Sequence, residues 1–209
     1  MKVLHIIASP RGQASRTRQI GQSFLDALKD QHPQAEISEL DLFETDLPEV
    51  LGGAVDAKYA FMAQQPVDER MLASWEGISQ MAHDFLTYDA YVISCPMWNF
   101  TIPYRLKHYI DVIIQAGISF QYVPDGIEGL VKGKKMYIFT ARGGDYSEQS
   151  PFHQYDFQEN YLRSIFGFIG IYDITLLHCQ PTDMDPNLAA SLLEKAKQDA
   201  AALASGVNA

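Results

Sequence analysis

The chain has 209 residues, a formal charge of −10 and apolar side chains at 47% of its positions. That length suits one domain, 1–209, able to bury a substantial core, and so negative a balance excludes nucleic acid or an anionic membrane surface as a partner held by charge alone. No apolar run approaches the roughly 20 residues a helix needs to cross a bilayer, Met1 to Ser9 lacks a signal peptide's extended apolar region, and Cys95 and Cys179 lack the paired spacing of a zinc or redox motif.

Short β-branched runs alternate with segments of helical period, the pattern of β-α-β units around a mostly parallel sheet. The first strand covers residues 2–8, and a helix over about 15–30 places Ile20, Phe24, Leu25 and Leu28 on one face. The second strand spans 36–42. Residues 43–66, with Gly52-Gly53 inside them, have no period and read as a cover or interface loop. A helix over about 67–87 carries Leu72, Trp75, Met81, Ala82 and Phe85 as a core stripe.

The third strand is 90–95. After it, Leu106, Tyr109, Ile110, Ile113 and Ile114 form the clearest stripe, on a helix that starts near Pro103 and that Gly117 stops. Residues 117–133 read as a second long cover. The fourth strand is 135–140, followed by an irregular polar and aromatic stretch, 143–155. A helix over about 157–168, the fifth strand at 173–179 and an alanine- and leucine-rich helix from Asn187 to about Ser205 complete the chain.

In an open parallel sheet, ligands bind beyond the carboxyl ends of the strands, where the strand order reverses. The turns after strands one, three and four therefore carry the interest. The first holds Ser9, Ser15, Arg16 and Thr17. Free N–H groups and the positive end of the following helix suit a phosphate, with the hydroxyls adding hydrogen bonds; a serine that merely caps the helix is the plainer alternative. The second, Pro96-Met97-Trp98-Asn99-Phe100-Thr101-Ile102-Pro103, puts two large aromatics beside an asparagine, a setting for a planar heterocycle with a polar edge. Core packing of Trp98 and Phe100 is the alternative. The third, Ala141-Arg142-Gly143-Gly144, has paired glycines that permit close approach of a ligand or a positive φ.

Neither G-x-x-x-x-G-K-[ST] nor G-x-G-x-x-G occurs, which argues against ATP-type and Rossmann-type phosphate loops. No Ser-His-Asp set, histidine-rich metal motif or catalytic carboxylate pair stands out. His5 and His178 read as satisfied sheet residues. Cys95, beside the aromatic turn, reads as a buried thiol before it reads as a redox sensor.

At these residues the chain resembles the FMN-dependent NADH azoreductases and quinone reductases of bacteria, a flavodoxin-like family. The resemblance runs over nearly the whole chain. It includes Ser15-Arg16-Thr17, Pro96-Met97-Trp98-Asn99-Phe100, Gly117-Ile118-Ser119-Phe120-Gln121-Tyr122 leading to Gly126-Ile127-Glu128-Gly129-Leu130-Val131, then Ala141-Arg142-Gly143-Gly144 and Phe166-Gly167-Phe168-Ile169-Gly170-Ile171.

The resemblance implies a doubly wound α/β fold with five parallel strands in the order 2-1-3-4-5 and helices on both faces. It implies bound FMN, with Ser9, Ser15, Arg16 and Thr17 at the phosphate and ribityl chain. Pro96, Met97, Trp98, Asn99 and Phe100 would line the isoalloxazine, together with Ala141, Arg142, Gly143 and Gly144. NADH would give electrons first, and a quinone or azo acceptor would receive them second at the same face, with Asn99 and Tyr122 orienting the rings. The absence of an arginine cluster for a 2′-phosphate agrees with NADH. The family works as a homodimer, so residues around Tyr122 and the Phe166 helix would serve both subunits. A cytoplasmic enzyme without metal is expected. Many relatives carry tyrosine where this chain has Trp98, which leaves acceptor preference open. A flavodoxin-type electron carrier is the rival reading, and the long stretches at 43–66 and 117–133, which could roof a substrate pocket, weigh against it.

Overall fold

The computed structural model describes residues 1–207. β1 (Lys2–Ile7) leads through a short 3-10 turn to α1 (Arg16–Gln31), β2 (Glu36–Asp41) to α2 (Gly52–Met62) and α3 (Glu69–Leu86), and β3 (Ala90–Pro96) to α4 (Tyr104–Ile113). A hairpin of β4 (Phe120–Val123) and β5 (Gly126–Gly129) precedes β6 (Lys135–Ala141), α5 (Phe157–Phe168), β7 (Asp173–Cys179) and α6 (Pro186–Leu203). The parallel sheet has the order β2-β1-β3-β6-β7. These are the five expected strands in the expected flavodoxin-like order, with the hairpin standing apart from them.

Alternation along β3 divides the core between the two faces of the sheet. Tyr91, Ile93 and Cys95 pack with Leu106, Tyr109, Ile110 and Ile113 of α4 and with Leu162 and Phe166 of α5. Val92 faces the other way, toward Ile20, Phe24, Leu25 and Leu28 of α1 and Ala196 and Ala200 of α6. Each fully buried leucine, isoleucine or phenylalanine contributes roughly 1.5–3 kcal/mol by leaving water, so the stripes on α1 and α4 hold these helices to opposite faces. α1 lies so close that a Cβ on Gly21 would stand 2.5 Å from Ser94 Oγ of β3.

Several boundaries differ from expectation, for physical reasons. α2 lies inside the stretch that reads as irregular, because its buried side is only Ala54, Ala57 and Ala60, while Tyr59, Phe61 and Met62 face solvent. Its apolar residues point outward and give no stripe. Leu72, expected in the core, is exposed; α3 buries Ile78, Ala82 and Phe85, and Trp75 packs against Phe61 of α2. α4 ends at Ile113, before Gly117, which sits left-handed (φ +81°) in the next turn. The cover at 117–133 contains the β4–β5 hairpin, whose strands of four residues each are too short for an alternating pattern to be read.

Candidate functional site

β1, β3 and β6 are neighbours in the sheet, so the turns that leave their carboxyl ends lie side by side at strand spacing, roughly 5 Å apart. The turn after β1 ends at Ser15, whose hydroxyl accepts the Arg18 N–H (3.3 Å) and lies 3.1 Å from Thr17 Oγ1. Ser9, Ser15 and Thr17 are buried at the floor of the turn, with the Ser15 and Thr17 hydroxyls paired to each other. The Arg16 and Thr17 N–H groups, the first two of α1, have no acceptor among the described residues. Two free N–H groups at the positive end of a four-turn helix are what a phosphate takes up. Arg16 stands beside them, 3.5 Å from Asp183.

The turn after β3 is a two-residue reversal. Trp98 and Thr101 exchange backbone hydrogen bonds of 2.9 and 3.0 Å, with Asn99 (φ +47°) and Phe100 (φ +70°) both left-handed between them. Asparagine tolerates that conformation, but phenylalanine stands where glycine is usual. Such strain costs on the order of 1–3 kcal/mol and persists at sites that use it. The rings are not core. Trp98 and Phe100 are 36% and 43% exposed, and Phe100 stacks on Tyr155 at 5.3 Å with Tyr146 edge-on at 6.4 Å. Phe43 packs between Trp98 and Tyr104 from the other side. A hollow of about 440 Å³ adjoins the turn, lined by Trp98, Asn99, Tyr104, Lys107 and Tyr161 among others. Of the larger depressions, those over α3 and beside α4 touch none of the three turns, whereas one of about 550 Å³ behind the third is lined by Arg142, Tyr146, Asp156, Glu159 and His178.

The loop after β6 differs from expectation in two respects. Neither Gly143 nor Gly144 takes a positive φ. A Cβ on Gly143 would meet the exposed Asp183 carboxylate, which would have to turn aside, while the Thr182 N–H donates to the Arg142 and Gly143 carbonyls. Arg142 turns inward, 1% exposed: Nη1 donates to Asp156 (2.7 Å), Nε to Gln158 (3.1 Å), and Nη2 has no partner. Burial lowers its pKa, and Asp156 counters that shift. Arg142 therefore supports the loop from behind and presents no charge to the crevice.

Asn99 lines the hollow beside the second turn, and Tyr122 is not among its lining residues. The hairpin carrying Tyr122 packs on the far end of α5, where a Cβ on Gly129 would strike the Ile169–Gly170 backbone, and α5 spans about 18 Å. Tyr122 is 61% exposed there, whereas Phe166 is buried in its own core.

His178 has both ring nitrogens partnered, by Thr140 (2.7 Å) and Glu159 (2.8 Å). His5 is only half satisfied. Ser94 Oγ gives its proton to the Thr17 carbonyl, so it accepts from His5 Nε2 (2.9 Å), and Nδ1 is left without a hydrogen bond. Cys95 is fully buried, its thiol pushed up to about 12 by desolvation, and Gln158 donates to it at 3.4 Å. That is an inert thiol. No cluster suited to a metal ion occurs among the described residues.

Tyr146 and Tyr155 of the polar and aromatic stretch border this region, as do Asp156, Gln158 and Asp183, none of which stands out in the sequence. Asp156 has a local signal, an N-cap with Glu159 three residues on, but it announces a helix start and not a neighbour of Arg142. The donor set fits FMN: free N–H groups and hydroxyls for a phosphate, and exposed flat rings beside an asparagine for a ring with a polar edge.

A family model described as "Flavodoxin-like fold" matches residues 1–204. The FMN-dependent NADH:quinone oxidoreductase of Nitratidesulfovibrio vulgaris (strain DP4) is 41% identical over 180 residues, 86% of each chain. That of Desulfotalea psychrophila is 38% identical over 204 residues, 97% of this chain and 96% of its own. Among solved structures, an azoreductase from Bacillus anthracis str. Sterne superposes with a TM-score of 0.90 at 29% identity, covering 99% of this chain and all of its own. An FMN-dependent NADH-azoreductase from B. anthracis str. Ames Ancestor, in complex with FMN, gives 0.88 at 27% identity over 98% of both chains. With its strand order, its three turns and these likenesses, the chain belongs to the flavodoxin-like family of FMN-dependent NADH:quinone oxidoreductases and azoreductases.

Proposed function

We propose that this chain is a cytoplasmic, homodimeric FMN-dependent oxidoreductase, one FMN-binding domain per subunit, which passes electrons from NADH to quinones, to aromatic azo compounds that it cleaves reductively, or to both. The observation that carries the reading is the strained, solvent-facing turn at Trp98, Asn99 and Phe100, set beside a helix start with unpaired N–H groups. Bound FMN supplies the redox chemistry, taking a hydride and later giving up two electrons.

The protein's part is position. Arg16 and Thr17 N–H, with the Ser9, Ser15 and Thr17 hydroxyls, hold the phosphate against the α1 dipole. The Asn99 amide and the backbone of Gly143 and Gly144 would serve the polar edge of the ring and Trp98 and Phe100 would flank its apolar part, while the Met97 N–H, bonded to the Ala141 carbonyl (3.0 Å), ties the second turn to the third. Arg142 acts through the loop it braces. Because Tyr122 stands at the other end of α5, we place it in the crevice of the second subunit, where its exposed ring would orient the acceptor. Purified, FMN-loaded protein is expected to oxidise NADH with a quinone present and no partner protein. Flavin reduction only through a separate reductase would make the chain a carrier and end this reading.

A further inference from the structure

The first turn of α5 is bonded to both loops that follow β3 and β6. The Phe157 N–H donates to the Phe100 carbonyl (3.2 Å). Next to it the wholly buried Gln158 donates through Nε2 to the Pro96 carbonyl (3.0 Å) and the Cys95 carbonyl (3.4 Å), and its Oε1 accepts from Arg142 Nε. Asp156 holds Arg142 Nη1 with one carboxylate oxygen and the Gln158 and Glu159 N–H groups with the other (3.1 and 3.0 Å). The aromatic turn is thus gripped at Pro96, where it begins, and at Phe100, where it is most strained.

Left-handed non-glycine residues persist only where surrounding structure over-determines them, and these bonds supply that constraint. Stability alone does not call for them. Buried polar groups of this kind are often replaceable by apolar ones without loss, and Arg142 keeps an Nη2 with no acceptor. What the network specifies is the position of one loop relative to the other.

We propose that Gln158 is a positioning residue: with the Phe157 N–H and the Arg142–Asp156 pair, it presets the 97–100 turn and the 141–144 loop so that the ring crevice exists before the ring arrives. Preorganisation of this kind spares binding the cost of ordering the loops. The inference rests on the flavin reading above, and its test separates the two.

Gln158→Glu, read at pH 8, is the sharp probe, because an ionised carboxylate still accepts from Arg142 Nε but cannot donate to the Pro96 and Cys95 carbonyls. In the FMN-free chain, amide hydrogen exchange at Trp98 and Thr101 is expected to accelerate tenfold or more, the effect of losing the Nε2 hydrogen bonds to Pro96 and Cys95. The FMN dissociation constant, read from quenching of flavin fluorescence, is expected to rise by a similar factor with unchanged far-UV circular dichroism. Phe157→Pro removes one N–H at a helix position where proline is favoured, and both effects should recur at about threefold, as expected for a weaker, longer bond. Glu159→Gln is the control: its side chain bonds to His178 and Arg163, not to either loop, and both readouts should stay at parent values. The proposal is overturned if folded Gln158→Glu exchanges and binds FMN as the parent does; should that variant not fold, Phe157→Pro decides in the same way. A parent chain that takes up no FMN sinks the function reading instead, and the exchange measurement then judges the clamp by itself.

Discussion

The turns after β1 and β3 leave neighbouring strands at the same edge of the sheet, yet they are built in opposite ways. The first is closed and relaxed: Ser9, Ser15 and Thr17 are buried, Ser15 caps the helix, and the left-handed residue is a glycine, Gly12 (φ +51°). The second is open and strained, with Asn99 and Phe100 left-handed and a brace from Gln158, 62 residues downstream of Pro96. A small charged group needs fixed donors at short range. A flat ring needs surfaces held at a set spacing, which only the packing of separate elements supplies.

The largest expected effect comes from removing the buried hydroxyls. Hydrogen bonds to a charged group are worth about 1.5–3 kcal/mol each, so Ser15→Ala with Thr17→Ala should weaken FMN binding by about 3 kcal/mol, roughly 100-fold by calorimetric titration. Loss of the Ser15 cap costs about 1 kcal/mol of stability, too little to unfold the chain. Undiminished FMN affinity in the folded double variant would place the phosphate elsewhere and remove one side of the contrast.

Beneath the closed turn lies a smaller effect, tied to pH. His5 bonds to Ser94, which in turn holds the Thr17 carbonyl at the start of α1. Burial first, and the nearby Arg18 second, lower its pKa from 6.5 to about 4. Between those values the unfolded chain binds more protons than the folded one, so stability rises with pH. The contribution is fully present above pH 6.5 and is lost as pH falls toward 4, amounting to about 2 kcal/mol by pH 5. His5→Gln should flatten that acid limb in urea unfolding at pH 7, 6 and 5. Parallel curves for variant and parent would show that His5 does not titrate as its burial implies.

How far each turn was legible in the sequence follows from the same contrast. Ser15 capping α1 is a local signal, as are the apolar stripes of α1 and α4, and all three hold in the structure. The strand order followed from family resemblance and the alternation of elements. The brace on the second turn is not local: no pattern around Gln158 says that its amide meets Pro96, because that contact exists only once α5 packs beside β3. Arg142 was legible as a member of the third loop but not as a buried support, since a one-dimensional pattern does not record which way a long side chain turns. α2 was hidden by its alanine face, and the hairpin that carries Tyr122 packs at the far end of α5 from Phe157, in keeping with a residue that would serve the other subunit.

The smallest stability effect is the most discriminating one for the open turn. Phe100→Gly relieves a left-handed phenylalanine, a gain of about 1 kcal/mol, and forfeits the stacking on Tyr155, a loss of about 0.5–1.5 kcal/mol. The two nearly cancel, so the melting temperature should move by only a few degrees. Function should respond differently. Without the ring the acceptor loses one wall, and its KM is expected to rise several-fold while FMN, held mainly through its phosphate, is retained. A side chain packed as core would behave in the reverse sense, since deleting a buried phenylalanine costs about 3–5 kcal/mol. A large fall in stability with KM unchanged would therefore show that the strain at Phe100 serves the fold, and that the open turn does not differ in kind from the closed one.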